Sequence, residues 1–181
     1  TGSKVKYTFE NCTIMSFNGS DSTFDKCKFG GSSSDALNPY KNVTVTNSYI
    51  SDLAHYLAEG TVHTDGTQLF GFESVDSENI YFGNCRFEIP PIKSLENASY
   101  VNACIMLALE RSNGKNITFK NLIINGGGYS IYTTANSPFT LSNILIENVS
   151  VGTSARWGTF YNKNTTSGVT INNVTNTDSL Y

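Results

Sequence analysis

The sequence predicts an all-β chain wound as a right-handed parallel β-helix, and three observations carry that expectation. A nine-residue unit recurs along the chain. Asparagine holds its sixth position in six of seven copies. The copies are spaced as three short strands per turn would require. The clearest copies are Asn42–Ile50, Asn79–Phe87, Asn116–Ile124 and Asn143–Val151. Looser ones are Gly168–Asn176, Lys6–Ile14 and Asp21–Phe29, the last without the asparagine.

Each copy reads as two short strands meeting at a bend. Positions two and four are mostly apolar, as in Val43 and Val45 or Ile80 and Phe82, which is the period-two signal of a strand with one buried face. The asparagine at position six (11, 47, 84, 121, 148, 173) tolerates the left-handed backbone of a sharp corner. Stacked corners would let the amides bond from coil to coil as an Asn ladder. Successive starts from Asn42 are separated by 37, 37, 27 and 25 residues, so each step has room for a third strand. The candidates are Thr67–Phe70, Ile105–Leu109, Ser130–Thr133 and Thr159–Tyr161. The longer steps place inserted loops at Ser51–His63 and Glu88–Asn102. About six to seven coils are expected in one domain over 1–181, with regular coils over 41–176. The step of 15 between Lys6 and Asp21 reads as too short for a full turn, so 1–40 is expected to form irregular first coils. A β-sandwich would show turn signals every 8–12 residues without a fixed asparagine frame.

Composition narrows the function classes. Charged residues are 15% of the chain, and 21 Asn supply much of the missing polarity. A net charge of -3 argues against a generic nucleic-acid binder. No stretch of about 18 apolar residues predicts a membrane span. Cys12, Cys27 and Cys85 share the seventh repeat position, which is expected to point inward. They read as free thiols in a core stack, with a Cys12–Cys27 disulfide between neighbouring coils as the alternative. No metal site is expected, since the histidines lie far from any cysteine. Eight Asn-x-Ser/Thr sequons are either glycan acceptors or by-products of an Asn- and Thr-rich repeat. Asn11, Asn148 and Asn173 fall in the proposed ladder, read as buried, where a glycan would not fit.

The strongest local motif is His63-Thr-Asp65-Gly-Thr-Gln68-Leu69. Together with the repeat frame and its asparagine bends, it resembles the pectate-lyase-like β-helix superfamily over nearly the whole chain. Within that superfamily the segment is similar to the Asn-Thr-Asp-Gly motif of polygalacturonases, inverting hydrolases that work with paired carboxylates. Aligning Gly66–Leu69 with Cys104–Leu107 and then with Gly128–Ile131 carries the remaining motifs over. The Asp-Asp pair falls on Asn102 and Ala103, and the Gly-His-Gly on Gly126, Gly127 and Gly128. One acid survives where two-carboxylate hydrolysis needs two. Asp65 then reads either as a turn-former whose carboxylate bonds nearby backbone amides, or as a carboxylate at a groove mouth paired with His63. Gln68 would extend the same outward face. Trp157 beside Arg156 reads as a sugar-stacking platform or as a lid folded over the coil edge. Tyr132 and Tyr161, on or near the third strand, join Gln68, Arg156 and Trp157 as candidate substrate contacts.

These residues lead to an expected function: a carbohydrate-recognising β-helix module of a virion tail or fibre, as in phage tailspikes, or of a bacterial surface assembly. Its partner would be a polysaccharide and its location extracellular or on a virion or cell surface. The alternative is a polysaccharide hydrolase or lyase using Asp65 with a second acid from Glu59, Glu88 or Glu110, or the His63 and Asp65 pair with Arg156. No cofactor is expected, although lyases of the resembled superfamily use Ca²⁺. No amphipathic helix that could cap the stack is legible at either end, so a homotrimer, a larger assembly or a longer chain is expected to cover the exposed edges.

Overall fold

The structure is a computed structural model that describes residues 5–32, 34–53, 64–71, 75–89, 101–162 and 166–176. Within them every element is a strand. The chain makes successive passes: β1 (Tyr7–Glu10), β2 (Thr13–Ile14) and β3 (Phe17–Gly19), then β4 (Ser22–Asp25), β5 (Lys28–Phe29) and β6 (Leu37–Pro39). Next come β7 (Lys41–Thr46), β8 (Tyr49–Ser51) and β9 (Thr67–Leu69), then β10 (Ser77–Gly83), β11 (Arg86–Ile89) and β12 (Ala103–Leu109). The later passes are β13 (Gly114–Gly126) with β14 (Tyr129–Ala135), β15 (Leu141–Val151) with β16 (Gly158–Tyr161), and β17 (Val169–Asn176). All pairings are parallel. They form an 11-stranded sheet that curls through β13 and a 6-stranded sheet ordered β16-β14-β12-β9-β6-β3. The result is a parallel, solenoid-like stack. Among the described residues no helix is long and apolar enough to cross a membrane.

Position two and position four of the repeat face inward, and like stacks on like. Val43, Ile80, Ile117 and Ile144 form one buried column, Val45, Phe82, Phe119 and Ile146 the next. The Phe82 and Phe119 rings stack 5.0 Å apart. Cys27 and Cys85 are buried and Cys12 partly so, and all four cysteines are free. Each thiol of this column donates to the carbonyl two residues back, as Ser48 does with its hydroxyl.

The corners carry a regularity only half legible in the sequence. Asn47, Asn84, Asn121, Asn148 and Asn173 adopt positive φ and bond in a row: from Asn84 on, each Nδ2 donates to Oδ1 of the preceding corner at 3.1–3.3 Å. A second row runs through the first repeat position, Asn42, Asn79, Asn116 and Asn143, at 2.9–3.2 Å. Both rows point the same way and begin on a carboxylate. Asp21 accepts from Asn42 at 2.8 Å and Asp25 from Asn47 at 2.6 Å. A column of amides donating in one direction ends in unpaired N–H groups, and an acid is the residue that only accepts. The rows lie on the outside, where most of these asparagines are exposed. The expectation that Asn11, Asn148 and Asn173 are buried is therefore corrected: a left-handed corner turns its side chain off the strand pleat and into solvent.

A second correction concerns residues 1–40. The step of 15 is a full circuit, because β1 pairs with β4 in register, Tyr7 beside Ser22, and β3 pairs with β6, Phe17 beside Leu37. Strands of two to four residues joined by a corner as short as Asn11 need no more chain.

Candidate functional site

Side chains alternate in and out along each strand. On β12, Ile105, Leu107 and Leu109 fill the interior, leaving Met106 and Ala108 on the outer face. With Ala103 these two form a small second apolar cluster against Tyr132. Register explains the contact. Gln68, Met106, Tyr132 and Tyr161 are Cα partners in consecutive strands, so their outward side chains form one column.

An aromatic wall stands on that column. Tyr132 and Tyr161 stack with ring centres 4.2 Å apart and planes 7° from parallel. Tyr129 meets Tyr161 at 5.3 Å and Trp157 at 5.5 Å, tilted in both cases. The Trp157 backbone is fixed by its N–H to the Gly128 carbonyl at 2.7 Å. Its indole lies over Gly128, where a Cβ would collide with the ring. Gly128 thus clears room for the indole, while Gly127 turns the backbone with a φ of 78° against the Tyr129 carbonyl. Burial and the neighbouring Tyr161 phenol push the Tyr132 phenol above its ordinary range.

The wall bounds an open cleft of about 430 Å³. Gln68, Asn102, Thr134 and Asn136 contribute uncharged polar groups and Glu110 one carboxylate. Of the residues assigned from sequence, Gln68, Tyr132, Trp157 and Tyr161, and the candidate acid Glu110, line this cleft. Arg156 sits beside it with its guanidinium 5.5 Å from the Trp157 ring centre. Trp157 is half exposed, so it walls the cleft as well as covering a coil edge.

Asp65 is elsewhere. It shares the inward parity of Thr67 and Leu69 and is fully buried, which corrects its placement at a groove mouth. Gln68 is three residues on and therefore faces the opposite way, so the two never shared one face. Asp65 Oδ1 accepts the Ala103 N–H at 2.7 Å, while the Asp65 N–H donates to Asp35 Oδ1 at 2.8 Å. Each aspartate thus binds the backbone of the next pass. Asp65 Oδ2 has no hydrogen-bond partner among the described residues. Burial, then the Asp35 charge, pushes the Asp65 carboxyl well above the usual range, and the Ala103 N–H only partly opposes this. His63 and Glu59 lie outside the described residues. Glu88 pairs with Arg86 at 2.7 Å and accepts from Asn125 at 2.7 Å on the other sheet.

Sequence reasoning missed Met106, Ala108, Asn102, Thr134 and Asn136. Ala103–Leu109 is apolar throughout, so nothing in it marks which face is outer. The alignment of Gly66–Leu69 with Cys104–Leu107 matches the register. The next one slipped by two, because Leu107 pairs with Thr133 rather than Ile131. A slip of two preserves every inward and outward assignment, so periodicity is blind to it.

Searches against protein-family models, curated proteins and solved structures give no match to this chain.

Proposed function

We propose that this chain is a carbohydrate-recognising β-helix module that holds a glycan in the Tyr129–Tyr132–Trp157–Tyr161 cleft. The observation behind the reading is that cleft: several aromatic rings stand around an open trough ringed by amides and hydroxyls. Sugars present apolar C–H faces that suit aromatic rings and hydroxyl edges that suit carboxamides. The finer architecture belongs to the same proposal. It is a right-handed helix, the hand that parallel crossovers take, of six to seven three-strand coils with the asparagine rows as its ladder, in the manner of the pectate-lyase-like superfamily. Attachment to a virion fibre or bacterial surface assembly, with trimerisation, would place such a cleft where polysaccharide is met. The degradative alternative rests on Asp65, whose carboxylate faces the interior.

A glycan array followed by calorimetry on the best binder tests the reading. Binding should be saturable, and Tyr132→Ala or Trp157→Ala should weaken it at least tenfold, roughly the loss of one aromatic contact. Unchanged affinity in both variants, with the fold intact, would remove the cleft from the function.

A further inference from the structure

The cleft column does not stop at Gln68. Asn18 pairs with Asn38, and the partner of Leu37 is Thr67, which sets Asn38 beside Gln68. The outward line on the 6-stranded sheet therefore reads Asn18, Asn38, Gln68, Met106, Tyr132, Tyr161. At about 4.8 Å between strands the line runs roughly 24 Å. One half is carboxamide and the other apolar and aromatic. Asn18 is exposed, whereas Asn38 is half-buried and its Nδ2 donates to the Asp35 carboxylate at 3.0 Å.

Charge is distributed unevenly between the two sheets. The strands of the 6-stranded sheet contain no Asp, Glu, Lys or Arg. The other sheet carries Lys28, Lys41, Arg86, Lys115 and Lys120, all paired with carboxylates. At the cleft itself Glu110 and Arg156 have opposite signs. A polyanion is normally gripped by Arg and Lys clusters; here Arg111, over the Phe70 ring, and Arg156, beside Trp157, stand singly on separate aromatic rings, with the Glu110 carboxylate in the cleft.

We propose that the occupant is a linear, uncharged glycan laid along the stacking axis and longer than the cleft, with Asn18 and Asn38 as an amide extension of the aromatic site. The inference rests on the carbohydrate reading and adds the ligand's charge class, direction and minimum extent. Carboxamides donate and accept without charge, so they match neutral hydroxyls without selecting carboxylates.

The test uses the intact chain. Dextran, xylan, mannan and mixed-linkage β-glucan are compared with polygalacturonate and alginate by calorimetry, and the best binder is then fractionated by length. A neutral polymer should bind, with affinity changing less than about twofold between 50 and 500 mM NaCl, because no ion pair is there to be screened. Affinity should rise with chain length past the size that fills the cleft. Asn18→Ala should erase that rise and leave short oligomers unaffected, whereas Trp157→Ala should weaken both. Binding confined to the polyuronates, steep salt dependence, or a length effect untouched by Asn18→Ala overturns this inference while leaving glycan binding in place. Failure of every polymer to bind overturns the carbohydrate reading and this inference with it.

Discussion

At Asp65 a fully buried carboxylate bonds the Ala103 N–H through one oxygen, while the other meets no hydrogen-bond partner among the described residues. Its carboxyl is raised above the ordinary 3.8, so the folded state holds the proton to higher pH than the unfolded chain does. The associated stability is fully present below 3.8 and is lost as pH rises from there through the raised value. Asp65→Asn keeps the acceptor for Ala103 and removes the charge. It should raise stability at pH 8 by about 1–3 kcal/mol and flatten the fall between pH 4 and pH 8. Denaturant melts across that range check it, and a destabilisation that grows as pH rises would show that the ionised carboxylate is needed. The Asp-Gly pair and the resembled motif were legible in the sequence, but the meaning of Asp65 was not. Its role depends on parity against Leu69 and on Asp35 in the neighbouring pass, a contact across 30 residues. By contrast, Gln68, Tyr132 and Tyr161 could be picked out because amide and aromatic side chains stood at expected third-strand positions, and Trp157 because it neighbours Arg156 in the loop before one, even where the register between strands was unknown.

The asparagine rows operate at the scale of the element. Asn84 has a φ of 54°, donates to Asn47 at 3.3 Å and accepts from Asn121 at 3.2 Å. Asn84→Ala loses both bonds and forces an alanine into the left-handed region, for a combined loss of about 2–3 kcal/mol. Asn84→Gly restores the backbone freedom and loses only the bonds, so it should cost about 1 kcal/mol less than the alanine variant. The direction of the row adds a sharper expectation. Asn84→Asp can still accept from Asn121 but can no longer donate to Asn47, so it should destabilise the protein above the carboxylate pKa and less below it. Asp25 escapes that penalty because it stands at the row's start. There the Asn47 amide and the Thr46 hydroxyl hold its carboxyl below the usual range. The sixth-position row was legible in the sequence. The row through Asn42, Asn79, Asn116 and Asn143 was visible as a repeated letter, but its bonding required knowing that two corners, not one, turn left-handed.

For the whole molecule, stacking makes stability a sum over neighbouring passes. The β13 strand is paired on both sides, whereas β1 pairs only with β4 among the described residues. Val5, Tyr7 and Met15 are largely exposed on that first pass. Hydrogen exchange should therefore be slowest in β10 and β13 and fastest in β1 and β2, and uniform protection would show that the first pass is covered in solution. The repeat made the parallel stacking of the regular passes readable from sequence, whereas the 15-residue first step was misread by spacing alone. The division of labour between the sheets was not readable, because it needs the register that lines Asn18 up with Tyr161.

Trp157 is the chain's only tryptophan and lines the cleft, so its fluorescence reports directly on the site at the centre of the account. Titration with the best-binding glycan should give a saturable change in intensity and emission wavelength. Tyr132→Ala should shift the midpoint to at least tenfold higher concentration, in line with the aromatic contact removed. A glycan that binds by calorimetry yet leaves the Trp157 emission unchanged would contradict the account, because the ligand would then occupy some other surface.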